Sequence, residues 1–201
     1  SQHLLSMPLR DQDMERAIAT LKNGGVIVFP TETSYGIGCD ATNAHAVARI
    51  MQIKRRPADQ SLPSIVADRA MAAAYGTIDP ALEPILSVHW PGPLTVVLSN
   101  PHPSLAPHCL HHGTVALRIS SHPTAHALVQ ALGRPVVATS ANVHGLPMAY
   151  TVEEARRQFA GQEDQPDVYL DGGVLPEVPA SMIIECVNGE IVVHRKGSFK
   201  L

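Results

Sequence analysis

Paired cysteines, long apolar runs, abundant charge and glycine-rich phosphate loops are all missing from this chain of 201 residues. Its three cysteines, Cys39, Cys109 and Cys186, are odd in number, widely spaced and free of any CxxC pattern, which argues against a disulfide framework and fits a reducing cytoplasm. No stretch reaches the roughly 18 apolar residues of a membrane span. Ser1 to Arg10 shows neither the cationic start nor the apolar run of a secretory signal, so a soluble cytoplasmic protein with no membrane contact is expected. Charged residues make up only 16% and the formal net charge is −3. That argues against a broad basic face for nucleic acid, which accompanies a pI above about 9, so any RNA contact would be local. Neither a GxxxxGKS/T loop nor a GxGxxG fingerprint occurs: Gly36-Ile37-Gly38-Cys39 lacks the third glycine and the following helix. A nucleotide site in this chain has to be built some other way.

What the chain has is a globular balance, with 45% hydrophobic residues, and enough length for one domain that buries roughly 70% of its unfolded surface. Strand-like and helix-like runs alternate throughout. Asp11 is positioned to cap a helix carrying Met14, Ala17, Ile18 and Leu21 on one face, ended by Gly24-Gly25. Val26–Phe29 reads as a buried strand, and Asn43 as the cap of a second helix with Val47, Ile50 and Met51 inward. Leu62–Ala67, Leu94–Leu98, Val115–Ile119 and Pro135–Ala138 read as further strands, with helices starting at Asp79-Pro80 and Pro123, the latter ended by Gly133. Thr151 and Glu154 form a capping box for a helix through Phe159, and Asn188-Gly189 joins Ser181–Val187 to Glu190–His194 as a hairpin. Pro101–Gly113 and Gln162–Gln165 read as surface loops. The pattern predicts an α/β fold, residues 1–201 as a single domain with a twisted mixed sheet, helices on its faces and a concave cationic cleft.

Three segments carry candidate chemistry. Ile53-Lys54-Arg55-Arg56-Pro57 concentrates cations at a helix exit, where Lys54 and Arg56 can converge on one polyanion, although basic residues also suit a helix C-terminus for its dipole alone. Thr139-Ser140-Ala141-Asn142 ends an apolar strand in small hydrogen-bonding side chains, the place where open α/β sheets bind ligands. In isolation an ordinary helix cap or Asx-turn is the better explanation of it. Ser140 has no GxSxG setting, so a serine-hydrolase reading is weak. Phe29-Pro30-Thr31-Glu32-Thr33-Ser34-Tyr35-Gly36 adds hydroxyls at a third strand end. His102, His108, Cys109, His111 and His112 crowd one proline-rich loop, but their spacing matches no tetrahedral zinc pattern, and no metal site is assigned.

From about Gly24 to Arg195 the chain resembles the YrdC family, through PTETSYGIGCDA, IKRRPADQSL, WPGPLTVVL, TVALRISSHP, VVATSANVHGLP and the late Ser181…Arg195-Lys196-Gly197 segment. The resemblance implies a threonylcarbamoyl-AMP synthase that joins ATP, L-threonine and bicarbonate, releases pyrophosphate and supplies downstream tRNA-modification proteins. It implies a catalytic set of Lys54, Arg56, Ser140 and Asn142, the family's KxR…SxN signature around the phosphates. ATP contacts would come from Arg56, Gln60, Thr114, Ser140, Asn142 and Arg195, and threonine contacts from Thr33, Lys54, Arg118 and Ser181. Magnesium is expected with the ATP, and Glu32 is a candidate acid behind the site. The chain's length resembles the short, single-domain form. Departures from the family pattern, Ile65, Ala138 and Met182, cluster on the amino-acid side, and His144 replaces a frequent serine. Two rival activities stay open: a non-catalytic module binding structured RNA, and a carbamoyltransferase working through a carbamoyl-adenylate.

Overall fold

The computed structural model describes residues 9–201. Helix α1 (Asp11–Lys22) buries Ala17 and Leu21 against the first strands. Its N-cap is Arg10 and not Asp11, which sits one position inside; there its carboxylate still complements the helix dipole. Strands β1 (Ile27–Pro30) and β2 (Tyr35–Gly38) pair antiparallel, and every residue in both is buried. Helix α2 (Ala44–Lys54) begins where predicted, because the Asn43 side chain accepts a hydrogen bond from the Ala46 amide.

Leu62–Ala67 shrinks to a two-residue strand, β3 (Ser64–Ile65). Leu62 instead donates its amide to the His108 carbonyl, while on the other flank Val66 donates to the Arg118 carbonyl. Helix α3 (Arg69–Tyr75), capped by the Asp68 carboxylate, was not visible in the sequence: seven alanine-rich residues carry no apolar period. Asp79 caps a 3-10 turn at Pro80–Leu82 that leads into α4 (Glu83–His89).

Strand β4 (Leu94–Ser99) follows. The segment expected to be a surface loop then forms a 3-10 turn, the short strand β5 (Leu110–His111) and a tight turn at His112-Gly113 into β6 (Thr114–Arg118). Leu105, Ala106 and Cys109 of this segment are buried, and the Ala106 amide bonds to the Ala41 carbonyl, so it is part of the core.

Helix α5 (Pro123–Leu132) ends at Gly133, whose φ of 73° is the left-handed cap conformation. Strands β7 (Val136–Val137) and β8 (Thr139–Ser140) come next, then α6 (Val152–Phe159), β9 (Val168–Tyr169), and the hairpin β10 (Met182–Val187) and β11 (Glu190–Arg195). Asn188 and Gly189 both have positive φ, 51° and 80°, as a two-residue hairpin turn requires.

The strands divide between two mixed sheets and not one: β8-β2-β1-β9, and β11-β10-β4-β6-β3-β7 with β5 on β6. The chain passes from the larger sheet to the smaller within β7–β8, around Ala138. A large apolar core lies on one side of the bigger sheet, with Leu94, Val96, Leu117 and Ile184 in it. A second core packs α1 and α5 against Ile27, Phe29, Ile65 and Val136.

Candidate active site

One cavity of about 720 Å³ lies where the two sheets meet. Its floor follows from strand alternation. Val96, Leu117 and Ile184 stand in one cross-strand row facing the core, so their neighbours Thr95, Val97, Ala116, Arg118, Ile183 and Glu185 face the other way, into the cavity. The smaller sheet supplies the opposite wall, with Thr31, Thr33, Ser34 and Gly36 beside Ser140, which is the register partner of Gly36.

Of the residues singled out from sequence, Arg56, Gln60, Thr114, Ser140, Arg195, Thr33, Arg118 and Ser181 line this cavity. Lys54 and Asn142 do not. Lys54 is 2% exposed, and its ammonium donates to the carbonyl oxygens of Ser140 at 2.5 Å and Asn142 at 2.9 Å and to Asn142 Oδ1 at 3.4 Å. The Asn142 amide nitrogen donates to the Val143 and Leu146 carbonyls, and the Lys54 carbonyl in turn accepts from the His144 amide. The cation and the carboxamide therefore brace the turn behind Ser140, because the last turn of α2 runs directly against it.

Arg55 takes the left-handed conformation at the helix C-cap, φ 52°, which turns the chain so that Arg56 reaches the cavity. Arg56 is held by the carbonyls of Gln60 (3.3 Å) and Ser61 (2.7 Å). Arg195 is held by Ser181, donating to its carbonyl at 2.8 Å and its hydroxyl at 3.1 Å; the same hydroxyl is 2.7 Å from Thr95 Oγ1. Arg118 meets Glu32 Oε1 at 2.8 Å and donates to Thr33 Oγ1 at 3.4 Å. Glu32 itself lies outside the lining, its other oxygen taken by the Ser120 hydroxyl, so it sits behind Arg118 as a counter-ion.

Burial lowers the pKa of all three arginines; Arg118 and Arg56 add to the effect at Arg195, while Glu32 opposes it at Arg118. Lys54 drops from 10.5 to about 7 through burial and then the nearby Arg56 charge. Like charges desolvated together are costly unless an anion joins them, and Glu32 meets that need for Arg118 alone. Ser140, Thr33 and Ser181 add hydroxyls at its walls. Sequence reading missed Thr95, Ile183 and Glu185, although their alternation with core residues along β4 and β10 is the signal that marks them.

Two mixed sheets enclosing a cleft lined by guanidinium and hydroxyl groups define the class, an α/β protein with its cavity at the sheet junction. The chain belongs to the Sua5/YciO/YrdC family, whose profile, described as Telomere recombination, matches residues 19–197. It is 40% identical over 157 residues to a threonylcarbamoyl-AMP synthase of Escherichia coli O6:H1, covering 75% of this chain and 81% of that protein. In structure it is similar to P. abyssi Sua5 complexed with L-threonine, with a TM-score of 0.87 and 30% identity over 95% of this chain. The match spans 56% of that Sua5 chain, a little over half. E. coli YciO superposes with a TM-score of 0.83 and 26% identity, covering 95% and 92% of the two chains.

Proposed function

We propose that this chain is an enzyme, a nucleotidyltransferase that forms L-threonylcarbamoyl-AMP and pyrophosphate from L-threonine, bicarbonate and ATP. Three arginines converging with the hydroxyls of Thr33, Ser140 and Ser181 on one cavity is the observation that carries this reading. Its relatives named threonylcarbamoyl-AMP synthase and the threonine complex of Sua5 support it. The product would feed tRNA modification in the cytoplasm, passing to proteins that act on tRNA; direct tRNA contact is at most weak. Among the described residues no helix is long and apolar enough to cross a membrane.

The threonine amine first attacks bicarbonate, losing water to give a carbamate. A carbamate oxygen then attacks the α-phosphorus in line while pyrophosphate departs. No protein nucleophile is required; the work is positioning and charge stabilisation. Arg118, steadied by Glu32, offers a planar fork for the threonine carboxylate, with Thr33 and Ser181 beside it. Arg56, Arg195 and Ser140 would meet phosphate oxygens, with Gln60 and Thr114 further along the nucleotide. Lys54 and Asn142 act through Ser140 by fixing the turn that carries it.

Among the described residues no group of three His, Cys, Asp or Glu is placed to hold a metal, and Asp59 and Glu185 are the lining carboxylates. Magnesium, which keeps several waters and takes phosphate oxygens, fits here as part of the substrate MgATP.

The test is pyrophosphate release from ATP with each standard amino acid, with and without bicarbonate, and mass identification of the adenylate. Joint dependence on threonine and bicarbonate supports the reading. Release driven by carbamoyl phosphate, or tight salt-dependent tRNA binding with no release, overturns it.

A further inference from the structure

Glu185 is out of character in a cleft that gathers three arginines. It lies on the floor beside Val97, its side chain 25% exposed, while the second lining carboxylate, Asp59, is exposed on a loop. A half-buried carboxylate repels phosphate, so the ligand portion next to it has to be neutral and rich in donors.

Its place in the fold says which portion that is. Thr114 and Arg118 sit four residues apart on β6, and so about 13 Å apart along the strand, with both facing the cavity. Arg118 stands at one end of the floor with Thr95 and Ser181. Glu185 is one alternation step further along, in the row of Val97 and Ala116, toward Thr114 and the His111-His112 turn. That displacement points away from the amino-acid end and toward Thr114, which the reading above sets along the nucleotide.

The carboxylate is also oriented: His194, the extra residue in the irregular step between the Ile183–Arg195 and Ile184–Val193 pairs, donates from Nε2 to Glu185 Oε1 at 2.9 Å. Oε1 is thereby occupied, whereas among the described residues no side-chain hydrogen bond holds Oε2.

We infer that Glu185, positioned by His194, accepts hydrogen bonds from the ribose hydroxyls of the nucleotide, making this end of the cleft selective for a ribonucleotide. The inference rests on the ATP reading above.

It is tested by comparing MgATP with the magnesium complexes of 2′-deoxy-ATP and 3′-deoxy-ATP, as KM in pyrophosphate release and as Kd by calorimetry. A hydrogen bond to a charged acceptor sets the expected discrimination of the unaltered protein against one deoxy analogue at about tenfold to a hundredfold. Glu185→Ala raises KM and Kd for ATP and leaves those for that analogue near their original values, so the ratio falls toward one. His194→Ala reduces the ratio part of the way. An unchanged ratio in Glu185→Ala, equal weakening of all three nucleotides, or no discrimination by the unaltered protein overturns the inference while leaving the synthase reading intact. Failure of the unaltered protein to bind ATP at all overturns both.

Discussion

The ammonium of Lys54 lies 2.5 Å from the carbonyl oxygen of Ser140, 86 residues away in sequence, and not in the cavity that Ser140 lines. Two residues that look like partners around a ligand are thus stacked one behind the other. The helix exit supplies both a buried brace, Lys54, and a cavity-facing guanidinium, Arg56, by changing hand at Arg55.

Removing the brace should cost both activity and stability. Lys54→Met leaves the Ser140 and Asn142 carbonyls without their donor but also removes a desolvated charge, so a net loss of about 1–3 kcal/mol is expected in urea unfolding. Loosening the Ser140 turn by even an ångström should lower turnover about a hundredfold. Near-normal pyrophosphate release from a folded Lys54→Met protein would show that the turn needs no brace.

The same lysine predicts a pH dependence. Its folded-state pKa is about 7 against an ordinary 10.5. Below pH 7 both folded and unfolded chains carry the proton, and the burial penalty is fully present. Between 7 and 10.5 the unfolded chain binds a proton that the folded chain has released, so this group's contribution makes stability rise with pH. Lysine side-chain NMR should find one ammonium titrating near neutrality. The corresponding slope in urea midpoints should disappear in Lys54→Met.

Arg118 and Glu32 separate binding from folding. Arg118→Lys keeps the charge and loses the planar fork, so KM for threonine should rise about tenfold or more. Glu32→Gln leaves a buried guanidinium without its counter-ion and should destabilise the fold by about 3–5 kcal/mol. Equal KM values for Arg118→Lys and the unaltered enzyme would remove Arg118 from the amino-acid subsite.

Gly38 of β2 lies against Val137 of β7, where the two sheets meet. A Cβ there would lie 2.0 Å from the Val137 carbonyl oxygen, a backbone atom that cannot swing aside. Gly38→Ala should therefore cost about 3 kcal/mol, lowering Tm by about 6–12 °C in a chain of this size. A melting temperature within a degree or two of the unaltered protein would mean that the sheet junction yields.

Several local features were legible because their causes are local. Asn43 and Thr151 cap the helices expected of them, and Gly133 and Asn188-Gly189 turn the chain where they should. The Glu154 carboxylate does reach back, though to the Tyr150 amide and not to Thr151 itself. Composition misled where apolar residues were few. The histidine- and proline-rich stretch before Gly113 looks solvent-facing, yet Leu105, Ala106 and Cys109 anchor it in the core.

From the sequence alone came the alternating α/β pattern and the helix ends, since period, capping and residue type act over a few positions, while eight residues of the cleft were named through the family resemblance. Only the tertiary structure decided that the strands form two sheets, that Lys54 and Asn142 stand behind the wall they were expected to form, and that Glu185 looks into the cavity. Those outcomes depend on which distant backbone carbonyl a buried ammonium finds and which side of a strand meets the core, and both are settled by packing between residues far apart in the chain.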